Sequence, residues 1–504
     1  MKGMIGNLPV KDVGFAAMAL GLALLAGCTV GPNFAPPDPP AIDRYTPEPQ
    51  PAMTVATAGS SGAAQRLNPV MDIPAQWWML FQSPELDRLV RQALANSPSL
   101  VQAGARLKQA QEEVNTRSGQ TTYPNVSASI SAQREQVDLA AFGVPFPSPP
   151  PFNLLNGSVT VSYALDLFGS NRRLIESLNA QAEYEHWQLQ AARLTLAGNV
   201  ISAAIRQAQL RAQIDLTGQL LALQQQELAI IEQRIQAGGL PRYQSNQQRT
   251  LVEQTRAAIP PLQQQFEVVN HQLAVLIGAT PAEATIESIS LDRLHLPQEL
   301  PVSLPSVLAR QRPDIRAAEA LLHQASANVG VATANLYPQI VLSGNVGGAG
   351  TSFSNGGRVW DFGAALAQPL FSGGSLRAQE RKAVAAYEEA GAAYQQVVLQ
   401  AFQQVADTLR ALINDAQTLQ ARAAAAAQAE ATYKVFSQRY RAGGISQLSL
   451  LDAQRQYLQT AIDRANSAAN RYTDSAALFQ ALGGGWWNES PANAQETALL
   501  PTAR

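Results

Sequence analysis

The chain has 504 residues, only 15% of them charged, and a formal net charge of -2. That length supports several cores, while so balanced a charge argues against nucleic acid as a partner, which leaves a strongly basic footprint. A single cysteine, Cys28, excludes an internal disulfide, a Cys-based zinc site and a CxxC redox pair.

At the N-terminus, Lys2 and Lys11 precede the apolar run "GFAAMALGLALLAG" from Gly14 to Gly27. At about 14 residues this run is too short to cross a bilayer as a helix, which needs roughly 20, and its order of charged, apolar and small residues is that of an export signal. The ending "LAGC" resembles a bacterial lipoprotein signal. That resemblance implies removal of residues 1–27 and attachment of a diacylglyceryl group to the Cys28 thiol, with an N-acyl chain such as palmitate on the new terminus. Buried acyl chains contribute about 0.8 kcal/mol per CH2, so two or three hold a protein to a membrane. Thr29 stands where such lipoproteins carry Asp for inner-membrane retention, which points to the outer membrane.

Residues 28–75 then read as a lipidated strap, rich in Pro, Ala and Gly and without periodicity. Order begins at "PAQWWMLFQSPELDRLV", where Trp77, Trp78 and Phe81 are candidate anchors and Ser83 with Pro84 opens a helix. From there the chain is written twice, in copies of roughly 205 to 215 residues. "TTYPNVSASIS" (Tyr123) returns as "NLYPQIVLSGN" (Tyr337), "LDLFGSNRR" (Phe168) as "QPLFSGGSLR" (Phe371), and "RIQAGGLPRYQSNQQR" as "RYRAGGISQLSLLDAQR". The first repeat is assigned to 76–297, the second to 298–487, and 488–504 to a tail.

Each repeat holds two alternating segments, expected at about 124–135 and 157–168, then about 338–347 and 358–370. Val126, Ala128, Ile130 and Ala132 interleave with Ser127, Ser129, Ser131 and Gln133, giving one apolar and one polar face. About ten residues suffice to span a bilayer as a tilted strand, so the pattern suits transmembrane β as well as a half-buried hairpin, and a matched second hairpin favours the former.

Between the hairpins, 170–236 and 375–441 contain no proline and are dominated by Ala, Gln, Leu, Glu and Arg. Helices of that length would be rods of about 100 Å. Each ends at a Gly-Gly, Gly238–Gly239 and Gly443–Gly444, and turns into a return helix, so that long helical hairpins occupy 170–277 and 375–482. Pro260 and Pro261 predict a kink or break in the first return helix.

Four strands cannot close on themselves, and an open sheet edge is not viable in hydrocarbon, so the chain is expected to oligomerise, with eight strands from two copies or twelve from three. Five motifs in order, "WWMLFQSPELDRLV", "RPDIRAAEALLHQASANVGVATANLYPQIVLS", "QPLFSGG", "YRAGGISQLSLLDAQRQYLQ" and "ALGGGWW", resemble the TolC-like outer-membrane efflux family in its lipoprotein (NodT-type) branch. The resemblance spans about Trp77 to Trp487. It implies a mainly α fold with transmembrane β and an internal twofold repeat. The four strands per chain would complete a 12-stranded barrel in a homotrimer, and the helical hairpins would form a periplasmic tunnel. It further implies a non-enzymatic, lipid-anchored outer-membrane duct without cofactors, which meets a periplasmic adaptor protein and an inner-membrane pump of the RND type.

In that family the tunnel narrows at the hairpin tips. Carried over by position, Tyr440, Leu448, Asp452 and Arg455 match the gate, and Gly238, Gly239, Gly443 and Gly444 match the turns offered to the adaptor. Asp452 and Arg455 stand at i, i+3 on one helical face, and threefold symmetry would make each a ring. Ile445, Ser449 and Gln244 depart from relatives that carry ionic residues there, which implies a simpler lock. Against an enzyme, there is no HExxH, GxSxG or P-loop, and His186, His271, His295 and His323 lack ligand spacing. The other readings are a type I protein-secretion duct and a pore-free coiled-coil periplasmic lipoprotein.

Overall fold

The computed structural model describes residues 29–489, apart from 39, 139–142, 144–146, 148 and 353–355. Cys28, the signal at 1–27 and residues 490–504 lie outside the described residues. Two compact units emerge, and each draws on both sequence repeats: one comprises the chain up to Pro37 with Arg106–Glu185 and Ala317–Tyr394, the other Asp38–Ala105, His186–Arg316 and the chain from Gln395.

Helices contribute to both units. Ser83 accepts the Leu86 backbone N–H and so caps α1 (Pro84–Asn96), with Pro84 in the first turn. Helix α2 (Pro98–Thr122) follows; α3 (Ser170–Gln236) and its return helix α4 (Arg242–Leu276) have 67 and 35 residues. After the short α5 (Pro305–Gln311) and α6 (Pro313–Ala334), α7 (Ser375–Arg441) and α8 (Gln447–Ala481) repeat those lengths, 67 and 35 residues. Of the expected kink or break, the break does not occur: α4 runs on through Pro260 and Pro261. Both prolines are exposed, as are Arg256 and Ala257, whose carbonyls lose their helical donors and can turn to water instead.

The core of the second unit is aromatic. Trp77 and Phe81, in a 3-10 turn at Trp77–Phe81, are fully buried, and the Trp77 ring stacks on Phe479 at 5.2 Å. Tyr472 donates its hydroxyl to the Leu294 carbonyl at 2.7 Å, and Leu196, Val200, Ile201, Leu273, Val405 and Leu409 fill the space between helices.

Around this core the strap is clasped by one arginine. Strand β1 (Arg66–Asn68) pairs in parallel with β4 (Glu299–Pro301), and the loop before it closes on itself where the Thr54 N–H donates to the Gln65 carbonyl at 3.0 Å. Into that loop α8 inserts Arg471, 1% exposed. Its Nη1 donates to the Ser61 carbonyl at 2.9 Å, and its Nη2 to the Ala63 carbonyl at 3.1 Å and Gln65 Oε1 at 2.9 Å. Gln65 in turn donates to the Pro297 carbonyl and Ser475 Oγ, at 3.0 and 2.9 Å.

Beside the clasp, Asp474 of α8 bonds Asp415 of α7. Burial, then the hydrogen bond and charge of Asp415, push the Asp474 carboxyl up to about 7 against the pull of Arg471. The folded state therefore holds the extra proton, and its contribution is complete below the unfolded value of 3.8 and lost as pH rises through about 7. Asp474→Asn keeps a donor and removes the titration. Its stability should match wild type near pH 4 and exceed it at pH 8 by on the order of 2 kcal/mol, read from chemical unfolding followed by helical circular dichroism. A gap that does not change with pH would exclude the pair as its source.

Candidate functional site

Three places in the described residues concentrate unusual chemistry. The first is an antiparallel sheet of four strands in the order β2 (Asn125–Glu135), β3 (Phe152–Leu165), β5 (Gln339–Gly350) and β6 (Gly356–Ala367), all within the first unit. β3 starts five residues before its expected position because Phe152, Leu154 and Leu155 continue its pairing with β2, and β6 stops at Ala367 rather than 370. Register puts like beside like. Val126 faces Val161, Val159 faces Val346, and Val346 faces Trp360 on one side. On the other side Ser129 and Ser158 hydroxyls lie 3.1 Å apart, Thr160 donates to Asn345 at 3.3 Å, and Asn345 donates to Asp361 at 3.2 Å.

Ile130, Trp360, Phe362, Leu366 and Val126 are all exposed, so the apolar side is a broad uncovered face, far beyond the isolated apolar residues of ordinary surfaces. The outer edges of β2 and β6 have no partner among the described residues. No helix among the described residues is long and apolar enough to cross a membrane.

The second place is where the N-terminal segment meets this unit. The Val30 N–H donates to the Phe168 carbonyl at 3.1 Å, just past the end of β3. Arg173, nearly buried, donates to the carbonyls of Val30 and Gly31 and to Asn33 Oδ1, at 3.2, 3.3 and 2.7 Å. Glu176 receives Arg173 at 2.8 Å and lies 3.0 Å from His323 Nε2, while Phe34 stacks on the His323 ring at 4.4 Å. Although burial raises it, hydrogen bonds from Arg173 and His323 hold the Glu176 carboxyl below the usual carboxylate range. A Cβ on Gly31 would lie 2.4 Å from the Gly330 Cα, so the segment seats there only because Gly31 lacks a side chain, and a Cβ on Gly330 would meet the Arg173 side chain at 2.8 Å. The residue immediately after Cys28 is thereby fixed beside a strand end.

The third place is the pair of helix turns. Gly238 and Gly443 adopt φ of 78° and 80°, and the N–H groups of Gly239 and Gly444 return to the carbonyls of Arg234 and Arg439, each at 2.8 Å. These are left-handed caps in which glycine avoids the steric cost of a Cβ. Nothing lies within 4 Å of a Cβ built on Gly238 or Gly443, so the turns present bare backbone.

Beneath the turns the two hairpins are locked by a polar exchange that sequence reasoning missed. Glu227 of α3, 1% exposed, accepts from Ser437 Oγ at 2.9 Å and Arg441 Nη2 at 2.7 Å. Arg234 of α3 donates to the carbonyls of Tyr440 and Arg441. Arg234 and Arg441 stand just before the two Gly-Gly turns in the sequence, but their partners lie over 200 positions away.

Of the four expected gate residues, three share a stripe. Leu448, Asp452 and Arg455 lie one and two turns apart on α8, all exposed, and Arg455 donates to Asp452. Tyr440 is not with them: it is buried against Ile231, Leu450 and Ala453, and its hydroxyl donates to Gln244 Oε1 at 3.3 Å. Burial raises the Tyr440 pKa. Among the described residues no group of three or more His, Cys, Asp or Glu side chains could hold a metal ion.

Comparison with known proteins gives consistent matches. The profile of the outer membrane efflux protein family matches residues 89–279 and 304–484. The outer membrane protein OprJ of Pseudomonas aeruginosa is 31% identical over 483 residues, covering 95% of this chain and 97% of OprJ. The pyoverdine export outer membrane protein OpmQ of Pseudomonas putida is 31% identical over 427 residues, covering 82% of this chain and 89% of OpmQ. The solved structure of the outer-membrane channel OprN superposes with a TM-score of 0.81 at 29% identity, covering 91% of this chain and 100% of OprN.

Proposed function

As a member of the outer membrane efflux protein family, the chain is an outer-membrane channel component of an efflux system and performs no catalysis, and we propose that it works as a lipid-anchored homotrimer. The four-stranded sheet carries this reading. Its apolar side is exposed and its two outer strands have open edges, an arrangement that hydrocarbon tolerates only in a closed barrel. Three copies supply twelve strands, with the Ser, Thr and Asn side lining water. Diacylglyceryl and N-acyl chains on Cys28 anchor each copy next to the end of β3, where Thr29 and Val30 are seated after removal of residues 1–27.

In this reading the hairpins of both repeats form the periplasmic tunnel. Asp452, Arg455 and Leu448 ring its narrow end as a gate, with Tyr440 bracing the hairpin behind them. The bare turns at Gly238–Gly239 and Gly443–Gly444 receive a periplasmic adaptor, which links the duct to an inner-membrane pump of the RND type. The cargo is small molecules, in keeping with relatives named for export of pyoverdine, antibiotics and toluene.

The test is twofold. The purified acylated protein should conduct ions in planar bilayers, and expressed with its adaptor and pump it should restore efflux to a host lacking a duct. Gly443→Trp should keep conductance but weaken adaptor affinity about tenfold or more and lose export. Gly443→Asn, which tolerates a left-handed backbone without bulk, should retain it. A wild-type protein that conducts nothing sinks the channel, and unimpaired export by Gly443→Trp removes the turn from the docking surface.

A further inference from the structure

The apolar side of the four-stranded sheet ends in cations. On β2 the positions facing that side are Val126, Ala128, Ile130 and Ala132, and the next in the alternation is Arg134. On β6, read from its other end, they are Leu366, Ala364, Phe362 and Trp360, and the next is Arg358. Each outer strand thus carries four apolar positions, about 20 Å of extended chain, and then an arginine on the same face. Both arginines are exposed, and neither forms an ion pair among the described residues. The carboxylates of the strands, Glu135 and Asp361, fall on the opposite, polar side.

Both arginines also stand at the same end of the sheet. Helices α2, α3, α6 and α7 all join the strands at the other end, next to Asn125, Leu165, Gln339 and Ala367. With the helices in the periplasm, the arginine end lies at the outer face of the membrane. Arginine on the lipid side of a barrel is costly at the bilayer midplane and nearly free at the interface, so this depth tolerates it. Trp360, one alternation below Arg358, is the residue type that marks such an interface.

Tolerance does not account for two arginines on these particular strands. The outer edges of β2 and β6 are open, so a closed barrel brings Arg358 of one copy onto a strand next to the one that bears Arg134 of the partner subunit. Like charges on adjacent strands repel, and the strands offer no carboxylate on this face to offset them. A bare floor adjoins the pair. Gly157 and Gly348 face each other in β3 and β5 and share a row with Arg358, and nothing lies within 4 Å of a Cβ built on Gly157.

We propose that Arg358 and Arg134 of the partner subunit together hold a phosphate group of an outer-leaflet glycolipid, at three sites around the barrel. The sugar body of the headgroup lies over the bare glycines, and its acyl chains run along the apolar positions below. Arginine suits this ligand because its planar fork of donors engages two phosphate oxygens at once. The inference rests on the trimeric barrel reading, which alone brings the two strands together.

The full acylated protein in detergent, titrated with lipid A and followed by native mass spectrometry, should bind it about tenfold or more tighter than the same lipid stripped of its phosphates. Arg134→Gln combined with Arg358→Gln should abolish that preference, and Arg134→Lys with Arg358→Lys should keep part of it, since charge remains but the fork is lost. Inorganic phosphate at the same concentrations should not compete. A trimeric wild-type chain that binds both lipids alike overturns the site and leaves the barrel standing, and this comparison decides alone if the glutamine variant does not assemble. A full preference in the assembled glutamine variant removes the arginines, and competition by inorganic phosphate removes the lipid as occupant. A monomeric wild-type chain sinks the barrel and the site with it.

Discussion

Asp452→Ala combined with Arg455→Ala is expected to raise single-channel conductance in planar bilayers several-fold. The two side chains bond each other and are 57% and 65% exposed on the same stripe as Leu448. An exposed pair of this kind contributes only about 0.2–1 kcal/mol to a single chain. In the proposed trimer it acts differently, because three carboxylates and three guanidiniums converge on one axis where water is scarce and screening weaker. Asp452 alone would repel its copies, and Arg455 offsets that charge while filling the opening. Contacts this weak close a tip without sealing it permanently. Removing both cancels charge and bulk together, so ions should meet a wider path rather than one of altered sign. Conductance equal to wild type would remove these residues from the gate.

Replacing Arg471 with Leu should cost about 1–3 kcal/mol, since it strips the donor from the buried Gln65 Oε1 and from two partly buried carbonyls. Gln65 Oε1, fully buried, would be left without this donor, while the Ser61 and Ala63 carbonyls that also receive the guanidinium are partly buried. Two readouts are expected to move together. The midpoint of chemical unfolding should fall, and trypsin should cut at Arg66, which follows the loop that Arg471 clasps. Arg471→Lys keeps the charge but cannot fork to several acceptors, so it should fall between the two. Wild-type stability with a protected strap would refute the clasp.

Sequence periodicity located the large elements because they are locally determined. The helices at Ser170–Gln236 and Ser375–Arg441 are free of proline and full of strong helix formers, and both stop where glycine supplies a positive φ. Alternation located all four strands, with errors at ends where pairing overrides pattern: "FNLLNG" follows a proline run and looks like loop, yet its backbone is taken up by β2. The Pro260–Pro261 pair does not break its helix because its cost depends on whether the freed carbonyls face water, which only the packed helix reveals. Arg471 in "AANRYTD" looks like any solvated arginine, since its partners at Thr54 to Gln65 are some 400 positions distant. Tyr440 was legible as a tip residue but not as a buried one, because its cover comes from Ile231 on another hairpin.

The equal lengths of the paired helices, 67 with 67 and 35 with 35 residues, restrict how this molecule can change. At 1.5 Å per residue, loss of one heptad from a single hairpin would set its turn back by about 10 Å from the others. In the proposed trimer the rim would become crenellated, and a ring-shaped collar could touch only alternate teeth. Insertions and deletions are therefore tolerable only as matched quartets, one in each limb of both hairpins, so the span of the duct is inherited as a single indivisible trait.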